Sequence, residues 1–118
     1  MSSKVANYLE QHLLGEVMTS ADALKYFSTD GSIFSVKPKI VVYPRNTSDV
    51  RKAARFTWQL AEKGHTLPIT ARGKGTDQSG AAIGPGVMMV FPAHMNKVLE
   101  LDKNTITVQP GVMYSKLE

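Results

Sequence analysis

Apolar positions recur along this chain with different spacings, and each spacing predicts a different element. Over residues 4 to 14 they fall at Val5, Tyr8, Leu9, Leu13 and Leu14, as on one face of a helix, and Gly15 stands where a C-cap glycine would. A second short helix is expected to begin near Ser20 and run to Phe27, followed by turn chemistry at Ser28-Thr29-Asp30-Gly31-Ser32. Ile40-Val41-Val42-Tyr43, bracketed by Pro38 and Pro44, is an unbroken run that suits a strand covered on both faces. Helical spacing returns over residues 48 to 63. Val50, Ala53, Ala54, Thr57 and Ala61 share one face there, flanked by Trp58 and Leu60. Thr47 or Ser48 supplies the N-cap, Asp49 an acid in the first turn and Gly64 the stop.

Two more apolar strands follow, at Pro68–Ala71 and Val87–Phe91. Val98–Asp102 and Thr105–Gln109 alternate apolar with polar residues, and Lys103-Asn104 between them predicts a hairpin. Pro110-Gly111 then breaks the strand, and Val112 to Leu117 begins a helix. A strand, a helix and a second strand in that order form a βαβ unit with the two strands parallel. The fold class expected is therefore α/β (or α+β): a small parallel sheet flanked by helices, then a β-hairpin. Residues 1–36 read as an N-terminal helical wrap, and residues 37–118 as the sheet-bearing unit.

The candidate chemistry lies where the strand at residues 68–71 empties into Arg72-Gly73-Lys74-Gly75-Thr76-Asp77-Gln78-Ser79-Gly80. Glycines let consecutive backbone N–H groups line a concave anion nest, and the carboxyl end of a parallel strand is where open α/β sheets take ligands. The loop is not a Walker A motif, because Pro68 occupies the required first glycine position and Gly75 follows Lys74. Nor is it a Rossmann fingerprint: residue 78 is Gln, and Ala81-Ala82-Ile83-Gly84-Pro85-Gly86 does not open a helix. On these residues alone a flexible surface loop is the stronger reading, with an anion nest the alternative.

Composition narrows the picture a little. With 42% hydrophobic and 20% charged residues in 118, the chain is long and apolar enough for one folded core. It has no cysteine, hence no disulfide, thiolate metal site or thiol nucleophile. The formal charge of +4 is scattered among lysines and arginines with no aromatic interleaving, which argues against nucleic acid and for a solvated basic surface. No segment has the length of a membrane span, so the simplest placement is cytoplasmic. His12, His65 and His94 fall on separate elements, without the cluster that a base or metal ligand needs.

The ordered series of motifs resembles the FAD-binding domain of the p-cresol methylhydroxylase / vanillyl-alcohol oxidase family. Within it, the likeness is to the FAD-linked D-lactate dehydrogenase and glycolate oxidase flavin-subunit group. It runs through Gly15-Glu16-Val17, Ser28-Thr29-Asp30-Gly31-Ser32-Ile33-Phe34, Val41-Val42-Tyr43-Pro44, Arg72-Gly73-Lys74-Gly75-Thr76 with Ser79-Gly80, Met95-Asn96-Lys97-Val98-Leu99 and Val108-Gln109-Pro110-Gly111-Val112. The resemblance implies that Gly73, Lys74, Gly75 and Thr76 wrap the FAD pyrophosphate, with Ser79 and Gly80 closing the nest and Pro110-Gly111 beside the cofactor. For Arg72 it leaves two roles open, a phosphate contact or a bond to loop carbonyls. Asp77 would oppose a phosphate unless it points away. The loop has no histidine, so the FAD implied is non-covalent. The resemblance further implies a chain that is the first subdomain of a longer flavoenzyme, with no catalytic residue or metal ligand of its own and little FAD affinity alone. The whole enzyme would oxidise a 2-hydroxy acid and pass electrons to an iron–sulfur domain or another acceptor. A self-contained nucleotide- or phosphate-binding module is the alternative.

Overall fold

The computed structural model describes residues 2–117. Helix α1 (Ser2–His12) leads to strand β1 (Glu16–Met18), helix α2 (Ala21–Tyr26) and strand β2 (Ile40–Tyr43). The long helix α3 (Thr47–Glu62) connects to β3 (Ile69–Arg72), and β4 (Val87–Val90), β5 (Val98–Leu101) and β6 (Ile106–Val108) follow. A 3-10 turn at Tyr114–Leu117 takes the place of the helix expected there.

One sheet has the order β1-β2-β4-β3. β2 and β3 both run parallel to β4, and β1 is antiparallel to β2. The strands on either side of α3 are thus parallel, as expected, but β4 lies between them. The reason is in the β4 side chains. Val87, Met88, Met89 and Val90 are all buried, and only a central strand with both faces covered can bury every residue. Ile40, Val42, Val87 and Met89 pack with Val5 and Leu9 of α1, Leu13 just after it and Ala53 of α3. Val41, Met88 and Val90 pack on the opposite face with Phe27, next to α2. The sheet is therefore the middle of three layers.

Several local expectations are corrected. β1 had no sequence signal: it is three residues long and mostly exposed, and its pairing with β2 creates it. Gly15 is not a left-handed helix cap. A Cβ there would lie 1.8 Å from the Tyr43 carbonyl oxygen, so glycine is required for close approach to the end of β2. The N-cap of α3 is Asn46, whose Oδ1 accepts the Asp49 N–H at 2.9 Å, and not Thr47 or Ser48. Its buried stripe runs through Asp49, Ala53 and Thr57, with Val50, Phe56 and Leu60 half-buried, whereas Ala54 and Ala61 are exposed.

Asp49 is more than a first-turn acid. It is 1% exposed, and its carboxyl oxygens accept backbone N–H groups from Leu14 (2.9 Å), Gly15 (2.9 Å) and Arg45 (3.0 Å). One side chain thereby fastens the α1–β1 turn to the β2–α3 turn.

β5 and β6 form a separate two-stranded hairpin with a bulge between Val98 and Glu100. Every residue of β5 is exposed. The radius of gyration is 14.9 Å, where a compact chain of this length has about 13.5 Å.

Asp49→Ala is expected to lower the unfolding free energy by about 3 kcal/mol, since three buried donors lose one acceptor group. Asp49→Asn should lose less. Denaturant unfolding checks this, and a change within about 0.5 kcal/mol for the alanine variant would contradict it.

Candidate functional site: the loop after β3

β3 ends at Arg72, and the chain makes a long excursion before returning as β4. The Arg72 side chain does not follow the loop outward. It is 7% exposed, and its Nη1 donates to the Thr29 carbonyl at 2.8 Å and to the Ala82 carbonyl at 3.3 Å. The guanidinium also lies 5.1 Å from the centre of the Phe27 ring, within range of a cation–π contact. Of the two roles open for Arg72, bonding loop carbonyls is the one observed.

Gly75 crosses directly over that guanidinium at φ 79°, and a Cβ there would sit 2.2 Å from Arg72 Nη2. Glycine is needed on both counts. A Cβ on Gly73 would meet nothing within 4 Å, so that residue faces open space. Among the described residues, no protein group accepts a hydrogen bond from the backbone N–H of Gly73, Lys74, Gly75 or Thr76. These residues are exposed or half-exposed, on a segment held from beneath.

The second half of the loop differs. Asp77 Oδ2 accepts from the Ser79 N–H, the Ser79 hydroxyl and the Ala81 N–H, each at 2.9 Å. Asp30 Oδ2 accepts from the Ala82 N–H at 3.3 Å, while its Oδ1 accepts from the Ser32 N–H and hydroxyl. The Ser79 amide assigned above to the nest is therefore engaged by the protein's own carboxylate. Asp77 points back into the loop. The Ala81 N–H holds its carboxyl below the ordinary range, with Ser79 adding to the effect, and the Ser32 hydroxyl does the same for Asp30.

Residues 29 to 34 form a wall beside the loop. Gly31 is so close that a Cβ would lie 2.5 Å from the Thr76 carbonyl oxygen, and the Phe34 ring and Ser32 hydroxyl flank Gly80. An open cleft of about 730 Å³ runs between α2 and the loop and meets Arg72 and Gly75. Gly111 lies at the far end of β4: its N–H donates to the Met95 carbonyl at 2.8 Å, and a Cβ would be 2.5 Å from the Phe91 carbonyl. Because the Phe91 N–H donates to the Arg72 carbonyl, the Pro110-Gly111 turn and the start of the loop sit on adjoining strand ends. Sequence reasoning missed Asp30 and Gly31 as loop supports and read them only as turn residues.

Residues 38–118 match the FAD binding domain family. The chain belongs to that family. D-2-hydroxyglutarate dehydrogenase of Escherichia coli (strain K12) is 37% identical over 120 residues, covering 96% of this chain and 12% of that protein. Glycolate oxidase subunit GlcD of Bacillus subtilis (strain 168) is 36% identical over 80 residues, 64% of this chain and 16% of that protein. Among solved structures, alkyldihydroxyacetonephosphate synthase aligns with a TM-score of 0.78 at 19% identity, and p-cresol methylhydroxylase with 0.73 at 17%. Each alignment covers 98% of this chain, and respectively 24% and 23% of the other, and shows a shared fold. The resemblance read from the motifs is thus confirmed, with FAD as the family's cofactor. The chain spans a small part of its relatives' length. No helix among the described residues is long and apolar enough to cross a membrane.

The residues present fit the phosphate end of FAD: the backbone N–H groups of Gly73 to Thr76 have no protein acceptor among the described residues. The two lowered carboxyls define a pH window for the loop. Their hydrogen bonds contribute fully above the ordinary value of 3.8 and are lost as pH falls through the lowered values. Amide protection factors at Ser79, Ala81 and Ala82 are therefore expected to hold from neutral pH to about 4 and to fall below it. Protection unchanged to about pH 2 would contradict the assignment.

Proposed function

We propose that this chain holds the diphosphate of FAD in a flavin-dependent oxidoreductase acting on a 2-hydroxy acid of the D-2-hydroxyglutarate, glycolate or D-lactate kind. The observation that carries the loop assignment is the run of four amides, Gly73 to Thr76, without protein acceptors at the carboxyl end of β3. Consecutive amides of this sort bind the oxygens of a phosphate diester, and Lys74 adds a positive charge. Arg72 acts from beneath, keeping Gly75 in place through its bonds to Thr29 and Ala82. Pro110 and Gly111 occupy a neighbouring strand end, where they can flank the same ligand.

The substrate class is supported by relatives named D-2-hydroxyglutarate dehydrogenase, glycolate oxidase subunit GlcD and D-lactate dehydrogenase. Bound FAD supplies the two-electron acceptor for turning a 2-hydroxy acid into a 2-oxo acid. In this reading residues 37–118 are the first subdomain of the flavin domain and residues 1–36 brace it. α1 fills the main core and β1 extends the sheet, as bracing requires. The groups that position substrate, cover the flavin ring and pass electrons on, to an iron–sulfur domain or another acceptor, belong to the rest of the full-length protein.

Two titrations test the reading. The full-length protein is expected to show a bound-flavin absorption spectrum that bleaches with at least one of D-2-hydroxyglutarate, glycolate and D-lactate under exclusion of oxygen. The 118-residue chain alone is expected to retain no stoichiometric FAD through gel filtration, because one wall of the site is missing. A tight yellow complex of the short chain would contradict the shared-site account, and a colourless full-length protein that takes up no FAD would contradict the function.

A further inference from the structure

α1 and α3 meet away from the loop, and a groove opens between their outer sides. The Tyr8 ring stacks on His12 and on Phe56 of α3, with ring centres 4.0 Å apart in both pairs and planes inclined by 18° and 16°. Two rings at that distance cannot share one face of a third, so both faces of Tyr8 are covered. What it leaves outward is its edge, the positive side of an aromatic quadrupole. Lys52, Arg55 and Gln59 complete the lining of an open groove of about 200 Å³, in which no carboxylate takes part. The Lys52 Nζ donates to the His12 carbonyl at 3.2 Å, whereas Arg55 has no ion-pair partner among the described residues.

Arg55 also links the groove to the exposed face of α3. Trp58 follows it one turn on and is 63% exposed, although the spacing sets it beside the buried stripe. Arg51 precedes it by one turn, and no acidic residue stands on α3 between Asp49, which is occupied by three backbone amides, and Glu62. Like charges at i and i+4 disfavour a helix, and an indole left in water forgoes its burial. Both costs are recovered when an acidic and partly apolar surface docks there, and Trp and Arg are the residues that dominate such contacts.

We propose that the outer face of α1 and α3 is a docking surface for an acidic peptide segment of a partner protein, with one apolar side chain seated in the groove and carboxylates against Arg51 and Arg55. The groove is smaller than the roughly 300–1,000 Å³ typical of cofactor sites, and holds a side chain rather than a nucleotide. A second copy of this chain, with a formal charge of +4, would bring like charge to the same face. The surface shares no residue with the cleft beside Arg72 and Gly75, so it stands independently of the FAD assignment.

Fluorescence anisotropy with the full-length protein tests this. The probe is a fluorescein-labelled peptide of glutamates around a central leucine, compared with versions carrying a central alanine or lysines in place of the glutamates. The glutamate–leucine peptide is expected to bind, the alanine version about tenfold more weakly and the lysine version not at all. Arg55→Glu and Trp58→Ala are each expected to weaken the first peptide by about tenfold, with the flavin spectrum and thermal midpoint unchanged because both side chains are exposed. A wild-type protein that ignores the peptide, or variants that bind it as tightly as the wild type, would overturn the proposal. Equal binding of the alanine peptide would overturn the groove as the anchor. A single-stranded DNA oligonucleotide that binds more tightly than the peptide and is lost in the same variants would make the face a nucleic-acid surface and overturn it as well.

Discussion

The guanidinium of Arg72 is buried under the turn that it opens, with the Thr29 and Ala82 carbonyls as acceptors and the Phe27 ring alongside. Those contacts join the start of the loop, its far side and the segment before β2. An exposed glycine-rich segment would otherwise sample many backbone conformations, and any ligand would have to bear the entropy of ordering it. Here the ordering is done by the protein. Arg72 satisfies carbonyls, Asp77 and Asp30 satisfy the later amides, and the earlier amides stay available.

That division of labour depends on the sheet. β3 delivers Arg72 in a fixed register against Val90 of the central strand, itself buried on both faces by α1 and α3 on one side and the α2 region on the other. Asp49 closes the opposite side of the frame, with one carboxyl group serving amides from two separate turns. The proposed site thus has a rigid base and a permissive rim, the arrangement expected of a binding loop placed on a scaffold. The exposed hairpin β5–β6 forms a separate sheet outside this frame.

Most of the frame was legible in the sequence because it follows from short-range pattern. The periodicity of α1 and α3, the unbroken β2 and β4 runs and the alternating hairpin all appear where the spacing places them. What failed depends on distant partners. β1 exists through its pairing with β2, and the position of β4 between β2 and β3 reflects packing on two faces. The glycine loop itself was visible, but its supports were not. Arg72 reaches a residue 43 positions away and Asp30 one 52 positions away, separations at which local spacing carries no signal. Asp77 was legible only as a charge of the wrong sign, and its bonds to Ser79 and Ala81 give that charge a structural place.

The central claim concerns which amides meet the ligand, and a structure of the full-length protein with FAD bound tests it most directly. The account predicts diphosphate oxygens within about 3.2 Å of backbone nitrogens among residues 73–76, with Asp77 still joined to Ser79 and Ala81. A diphosphate seated elsewhere, or one that displaces Asp77 to take the Ser79 and Ala81 amides, would contradict it.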